Sequence, residues 1–172
     1  MACTQTLAGI LQDCETSMGG IVMAYIANHG EIANFEVAET GEISAITMKA
    51  DTKFKSYHTR RGASSMTSTL NADPANGVNY VTTEVVLTFP KMNQANRDEI
   101  AKLAVGQLSV IVKDANGKYW LLGAEHPVMA SAGTGQTGTA MGDANNYQIT
   151  LQDNASTFPY EVDAATIESI ID

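Results

Sequence analysis

The chain has 172 residues, which fits a single domain, and 44% of them are hydrophobic, which is enough for a buried core. Nineteen acidic residues against ten basic ones give a formal net charge of −9. Such an acidic chain does not attract a phosphate backbone, which argues against specific binding of nucleic acid. No apolar run approaches the roughly 20 residues of a membrane span.

The first 14 residues predict one amphipathic helical segment, over residues 4–14. Its apolar face contains Leu7, Ile10 and Leu11. Cys3 and Cys14 fall near the same face, and two cysteines without paired spacing make neither a disulfide framework nor a zinc site. We therefore expect both cysteines to be small buried hydrophobes.

The apolar run 21–27 predicts a buried strand, because it is short and rich in β-branched residues. A turn at 28–30 leads into an acidic segment, 31–42, and a strand follows at 43–48. The acidic side chains are Glu31, Glu36, Glu39 and Glu42. They predict a solvent-exposed edge strand and turn; the alternative is a metal or acid/base site, although no repeated histidine or asparagine accompanies them at ligand spacing.

A basic segment follows and holds half of the lysines and arginines of the chain. Its members are Lys49, Lys53, Lys55, Arg60 and Arg61. Acidic and basic segments that are separated along the chain suit head-to-tail contacts between identical subunits, so we expect this basic patch to meet the acidic face of a neighbouring copy. The alternatives are a nucleic-acid-binding stripe and an edge strand protected by lysines.

Two long polar strands, 52–72 and 77–89, predict an extended hairpin around a dense turn cluster, with a bend or bulge at Gly62. One face is expected to pack into the core: Met66, Leu70, Val81, Val85, Leu87 and Phe89. The other face is expected to meet a lumen or a neighbouring subunit: Ser65, Thr67, Thr69, Thr82, Glu84 and Thr88. This second face is almost uncharged, whereas a soluble monomer normally exposes lysine and glutamate.

A charged helix is predicted over 94–105, with a cap at or near Asn93 and a stop at Gly106. Next, a strand at 107–114 turns at Asn116-Gly117 into a partner at 118–122, since Asn-Gly between apolar runs is a strong hairpin signal.

The remainder of the chain predicts less regular structure. Residues 130–142 are rich in Gly, Ala and Thr and predict a flexible loop that orders against a partner. Residues 147–152 predict the last clear strand. The tail, 163–171, is predicted either as a short capped helix or as an exposed arm that docks on a neighbour.

No pattern for chemistry emerges from the sequence. His29, His58 and His126 are far apart, and neither cysteine has a nearby basic activator. The glycines at 133, 135 and 138 match the spacing of a dinucleotide-binding loop, but no helical pattern follows them. We predict no catalytic residue, no metal site and no cofactor, and expect that the chain is not an enzyme.

Three segments together resemble a known family. They are Asp114-Ala-Asn-Gly-Lys-Tyr-Trp-Leu-Leu-Gly123, Thr134-Gly-Gln-Thr-Gly-Thr-Ala-Met-Gly-Asp143 and Asn146-Tyr-Gln-Ile-Thr-Leu151. They look like the C-terminal half of tail-tube-type structural proteins of tailed bacteriophages, similar to those of phages of gut Bacteroides and to ring proteins of crAss-like phages. The order of the elements agrees over roughly residues 40–155.

The resemblance implies a mainly β fold: a β-sandwich with one flanking α-helix and a long extended hairpin. It further implies a homo-oligomer in which six copies form a ring and contribute hairpins to an inner β-barrel. Stacked rings would form the tail conduit, through which DNA passes without specific binding. Residues 1–30 are not covered by the resemblance. We expect this segment and the C-terminal arm, 156–172, to be extensions of the single domain that dock on neighbouring subunits.

The resemblance also implies a place and partners. The protein would belong to the virion tail, would assemble in the cytoplasm of the bacterial host, and would contact other tail or connector proteins but no membrane. One alternative is a head–tail connector or terminator ring of the same fold. Less favoured are a β-sandwich module that binds a ligand such as carbohydrate, which would need exposed aromatic residues, and a small enzyme.

Overall fold

In a computed structural model, which describes residues 7–12 and 14–172, the chain is mainly β, with 49% of residues in strands and 13% in helices. The described strands are β1 (Ile21–Asn28), β2 (Ile32–Val37), β3 (Ile43–Met48), β4 (Lys55–His58), β5 (Ser65–Asp73), β6 (Val78–Pro90), β7 (Leu108–Asp114), β8 (Tyr119–Leu122), β9 (Met129–Gln136), β10 (Asn146–Ala155) and β11 (Tyr160–Val162). The α-helices among these residues are α1 (Gln94–Val105) and α2 (Ala164–Ile170). Neither is long and apolar enough to cross a membrane.

Seven strands form one sheet, in the order β2-β3-β11-β8-β7-β1-β4. Its central strands are buried on both faces because their sequences are nearly continuous apolar runs, as in Leu-Ser-Val-Ile-Val of β7. Successive residues point to opposite faces, so Val110 and Val112 join one hydrophobic cluster while Ile111 joins another. In the second cluster, Ile167 and Ile170 of α2 cover the sheet.

The other four strands form a second sheet, in the order β5-β6-β10-β9. Alternate residues of β6 and β10, such as Leu87 and Ile149, are buried in the first cluster together with residues of β1, β7 and β8. Leu103 of α1 belongs to the same cluster, so the helix packs on the core that the two sheets share. The sheets have open strand orders, with β2, β4, β5 and β9 as edge strands.

Local signals explain several element ends. The Asn93 side chain accepts a hydrogen bond from the backbone N–H of Asn96 and so begins α1 at the predicted residue. Asp163 caps α2 in the same way, through the N–H of Ala165. At the β7–β8 hairpin, Gly117 has a φ of +86°, which only glycine adopts without strain.

The predicted strand 52–72 is wrong as one element. It divides into β4 and β5, which lie in different sheets. The turn between them contains Gly62 at φ +72°, and the N–H of Ala63 bonds to the carbonyl of Arg60 at 3.2 Å. The backbone N–H of Arg60 donates to the carbonyl of Thr88 at 2.7 Å, which carries the chain from the first sheet to the second.

Residues 129–136 form strand β9, although the sequence predicts a flexible loop there. The glycines are explained by packing, because a Cβ on Gly135 would lie 2.8 Å from the ring of Tyr147 on the paired strand. The predicted last strand, 147–152, extends over all of β10, and β11 follows it. The described residues contain two α-helices, where the sequence predicts one and gives the tail helix as an alternative.

The N-terminal helix predicted over 4–14 is not found in the part that the structure describes. Residues 7–12 lack regular secondary structure, and Leu7, Ile10 and Leu11 are fully exposed. Cys14 is exposed rather than buried. Residues 4–6, residue 13 and Cys3 lie outside the described residues.

Candidate assembly surface

The four-stranded sheet turns one face away from the core, and we call this face the outer face. Directly paired residues of antiparallel strands share a face, so the register defines its members. They are Ser65, Thr67, Thr69, Asn71 and Asp73 of β5, Val78, Tyr80, Thr82, Glu84, Val86, Thr88 and Pro90 of β6, Asn146, Gln148, Thr150, Gln152 and Asn154 of β10, and Met129, Ala132, Thr134 and Gln136 of β9. Among these described residues, the charged ones are Glu84 and, at the end of β5, Asp73, and both are acidic.

Hydrogen bonds between side chains cross the outer face from strand to strand. Asn71 Nδ2 donates to Thr82 Oγ1 at 3.1 Å, and Thr82 Oγ1 donates to Asn154 Oδ1 at 3.0 Å. The contacts join β5, β6 and β10 through hydroxyl and amide groups. The surface therefore offers neutral donors and acceptors that are partly satisfied by one another, without a cation that would hold a phosphate.

Five of the six residues predicted for this face lie on it and are accessible: Ser65, Thr67, Thr69 and Glu84 are exposed, and Thr82 is half-buried. Thr88 points to the same face but is only 2% exposed, so it does not contribute to the accessible surface. Its Oγ1 donates to the carbonyl of Ala63, and its N–H donates to Ser64 Oγ. The turn between β4 and β5 covers it. Contact of this face with a lumen or a neighbour stays a prediction.

The set of residues that was predicted to pack into the core also has one exception. Val81, Val85, Leu87 and Phe89 are buried, and Met66 is partly buried against the first cluster. Leu70, however, is 50% exposed. Leu70 lies on the edge strand β5, in the row of Val81 and Ala155, which is the last row that β10 flanks.

The part of the outer face that belongs to β9 and β10 was not predicted from the sequence. The signal in β10 was present, since Gln148, Thr150 and Gln152 alternate with the buried Ile149 and Leu151. Residues of β9 gave no such signal. Their small side chains pack only because β10 lies beside them.

The edge strands of the two sheets differ in charge. As described, β5 and β9 contain no lysine, arginine or proline, and their one charge is Asp73 at the end of β5. Natural sheets usually protect exposed edges with such residues because unpaired backbone groups invite another strand. β4 begins with Lys55 and β2 contains Glu36, so the edges of the seven-stranded sheet are protected. The unprotected edges of the other sheet are therefore candidates for strand pairing between copies.

The members of the predicted basic patch differ in what they contact within the chain. Lys49 directly follows β3, and its carbonyl accepts the N–H of Thr52 at 3.2 Å. Lys53 Nζ donates to the carbonyl of Ile171 at 3.1 Å, and Lys55 pairs with the carboxylate of Asp172. The C-terminal segment thus occupies these two lysines of its own chain.

Arg60 and Arg61, the other two members, are exposed in the turn between β4 and β5. They remain available for a partner, since the described residues provide no ion pair to either guanidinium.

A cleft of about 350 Å³ opens between α1, the end of β1 and the C-terminal segment. Within it, the Tyr57 hydroxyl donates to Glu99 Oε1 at 2.6 Å, and Lys102 Nζ donates to Glu99 Oε2 at 2.9 Å. Both bonds hold the pKa of Glu99 below its usual range, while burial and the bond to Glu99 raise the pKa of Tyr57. Glu99 thus stays ionised and Tyr57 neutral near neutral pH, which suits a structural contact between β4 and α1.

One carboxylate is buried without full compensation. Asp153 is 4% exposed; its Oδ2 accepts the N–H of Gly123 at 3.0 Å, while Oδ1 lacks a partner among the described atoms. Burial raises the pKa of Asp153. Ser109 Oγ donates to the carbonyl of Gly123 at 3.2 Å. Gly123 therefore links β7 of one sheet, through its carbonyl, to β10 of the other, through its N–H.

Groupings suited to metal binding or catalysis are not evident in the described residues. They contain no cluster of three or more His, Cys, Asp or Glu that could hold a metal ion. The three histidines lie on different elements. His29 Nδ1 is 3.1 Å from Ser109 Oγ, His58 is in β4, and His126 follows β8. Comparison with known proteins adds no assignment, because no family model, curated protein or solved structure matches the chain.

Proposed function

We propose that the protein is the subunit of a stacked hexameric ring that forms the tail tube of a bacteriophage. In this proposal the two sheets form the sandwich of each subunit, and the outer face of the four-stranded sheet lines the lumen. The observation that carries the proposal is the combination of an almost uncharged outer face with two unprotected edges on one sheet. The resemblance of segments 114–123, 134–143 and 146–151 to tail-tube-type proteins supports it.

The strand directions suit a closed ring. β5, β6, β10 and β9 alternate in direction, since every neighbouring pair is antiparallel. With an even number of alternating strands, β9 of one copy and β5 of the next also run antiparallel. Copies related by rotation therefore join with the same hydrogen-bond pattern that operates inside each sheet.

The dimensions suit a conduit. Six copies of the four-stranded sheet would make a barrel of about 24 strands. At about 4.8 Å per strand and a tilt of about 40°, such a barrel is roughly 50 Å across at the backbone. Barrels of this strand number enclose a lumen rather than a packed core.

The charge suits passage of DNA without adhesion. Binding of a phosphate backbone depends on lysine and arginine, which release counterions from the nucleic acid. The outer face carries neither, and the whole chain has a net charge of −9. A DNA molecule in the lumen would meet hydroxyl and amide groups, and it would move without a series of strong local contacts.

Electron microscopy of the purified full chain tests the proposal, combined with mass measurement in solution. Hexameric rings or stacked tubes are expected. Isolated rings that fail to stack but bind a head or tail component would favour a connector or terminator ring. A strictly monomeric protein at high concentration would contradict the ring.

Two proline variants examine the proposed strand pairing. In an antiparallel strand, successive N–H groups point to opposite sides, so one of Gly133 and Thr134 directs its N–H towards β10 and the other towards the free edge. We expect Gly133→Pro or Thr134→Pro, whichever keeps the native melting temperature, to abolish rings. The other variant removes a backbone hydrogen bond between β9 and β10, so its melting temperature should fall. Full assembly of the stable variant would contradict pairing through β9.

A further inference from the structure

The outermost strands of the seven-stranded sheet are associated with opposite charges. β2 contains Glu36, and the turn after it contains Glu39. β4, at the other end of the strand order, leads into the turn with Arg60 and Arg61. All four side chains are exposed. The sheet thus offers an acidic edge, defined by Glu36 and Glu39, and a basic edge, defined by Arg60 and Arg61.

These four residues are available for intermolecular contacts, unlike other charges nearby. Glu31 is occupied by Asn28, whose N–H and side-chain amide both donate to its carboxylate. Lys55 is occupied by Asp172. For the acidic and basic edges, by contrast, the described part of the chain supplies no ion pair.

The contacts between the sheets place the basic edge on the β5 side. Tyr57 of β4 packs against Phe89 of β6, with ring centroids 6.0 Å apart, and Arg60 is bonded to Thr88 through the backbone. The turn that contains Arg60 and Arg61 then leads directly into β5.

The acidic edge lies on the β9 side in strand order. β8 leads into β9, and Val128 between them bonds to Leu108 of β7. Beyond β8, the sheet continues through β11 and β3 to β2. In strand order, the basic edge is therefore on the same side as β5, and the acidic edge is on the same side as β9.

We propose that Glu36 and Glu39 of one copy pair with Arg60 and Arg61 of the next copy, which deepens and rests on the ring proposed above. The second copy is the favoured partner because one chain carries both halves of a complementary pair on different surfaces, as a heterologous interface requires. A net charge of −9 makes copies repel one another on average, so a local attraction is needed to bring them together. Local attraction across this contact then sets the head-to-tail order in which β9 meets β5.

Charge reversal tests the pairing in the full chain. The variants are Arg60→Glu with Arg61→Glu, Glu36→Lys with Glu39→Lys, and all four changes together. The fourfold variant restores complementarity and keeps the formal net charge of −9. A matched control, Lys91→Glu with Arg97→Glu, changes the net charge as much as the arginine reversal does, at other exposed sites. Assembly is followed by mass measurement at low and high salt, and folding by the melting temperature.

Each double reversal is expected to weaken association at low salt by about tenfold or more, and the fourfold variant to recover it. The control is expected to assemble nearly as the native chain does. Neutral variants, with Gln at the same positions, give a smaller loss and replace any reversal that unfolds. Three outcomes would overturn this pairing and leave the ring proposal intact. They are unchanged association in both double reversals, no recovery of association in the fourfold variant, and an equal loss of association in the control. A native chain that never assembles would overturn the ring itself and this pairing with it.

Discussion

The two sheets of this protein use similar residues inside and very different ones outside. The central strands of the seven-stranded sheet are buried on both faces, under the four-stranded sheet on one side and α2 on the other. Its edge strands carry or adjoin charges, such as Lys55 and Glu36. The four-stranded sheet is buried on one face only, and its other face and edges are almost free of charge. One sheet therefore has the character of a domain core, and the other that of a surface left for a partner.

The largest effect is expected where the seven-stranded sheet is buried on both faces. Ile111 of β7 is fully buried in the cluster with α2. Ile111→Ala removes this packing and should lower the free energy of unfolding by about 2–5 kcal/mol. Thr67→Ala, on the outer face, should change it by less than about 0.5 kcal/mol. Urea denaturation of the monomer measures both, and similar losses would remove the proposed distinction between the sheets.

A smaller but specific effect is expected at Gly123, which is hydrogen-bonded to both sheets. Gly123 has a φ of +80°, and a Cβ there would lie 2.9 Å from the carbonyl oxygen of Leu108. Gly117 has a similar φ of +86° but open space around it. Gly117→Ala should cost about 1–2 kcal/mol from backbone strain alone, and Gly123→Ala clearly more, in thermal unfolding. Equal losses would show that the close approach between the sheets is unimportant.

The buried carboxyl of Asp153 makes stability depend on pH. Burial raises its pKa, so the folded chain binds this proton more tightly than the unfolded chain does. Its contribution is complete below the ordinary pKa of aspartate and is lost as the pH rises from there through the raised value. Asp153→Asn should reduce that loss and increase the free energy of unfolding at neutral pH, on the order of 1 kcal/mol. Denaturation at several pH values compares the two proteins, and identical pH profiles would contradict a raised pKa.

The smallest effect on stability is expected on the outer face, where function should respond instead. Thr67→Lys adds an exposed cation there and should change the free energy of unfolding by less than about 0.5 kcal/mol. Assembled rings of this variant should retain duplex DNA at low salt and release it at high salt. Thr157→Lys, an exposed position outside that sheet, is the control in a DNA-retention assay. Retention by both variants alike would argue against Thr67 facing a lumen.

Local signals predicted much of the fold. The helix 94–105 and the strand 43–48 have the predicted bounds, because a capping asparagine and short alternation act within a few residues. The Asn116-Gly117 turn was equally clear, since its conformation depends on the two residues themselves.

Other features depended on neighbours that are distant in sequence. Residues 129–136 have little strand propensity of their own, and β10 provides the hydrogen bonds and the Tyr147 ring that make them a strand. The segment 52–72 alternates like one strand, yet its halves pair with β1 and β6 in separate sheets. Burial of Thr88 follows from the same crossing, because the connecting turn lies over it.

By itself, the sequence determined that the chain is mainly β, that one hairpin face is apolar and the other almost uncharged, and that acidic and basic segments are separate. These properties follow from residue type and the period of two along a strand. Only the tertiary structure decided that the uncharged face extends over four strands, that its edges are unprotected, and that Arg60 and Arg61 stay available while Lys53 and Lys55 do not. Strand order and long-range contacts are set by how elements pack, and no local pattern encodes which elements become neighbours.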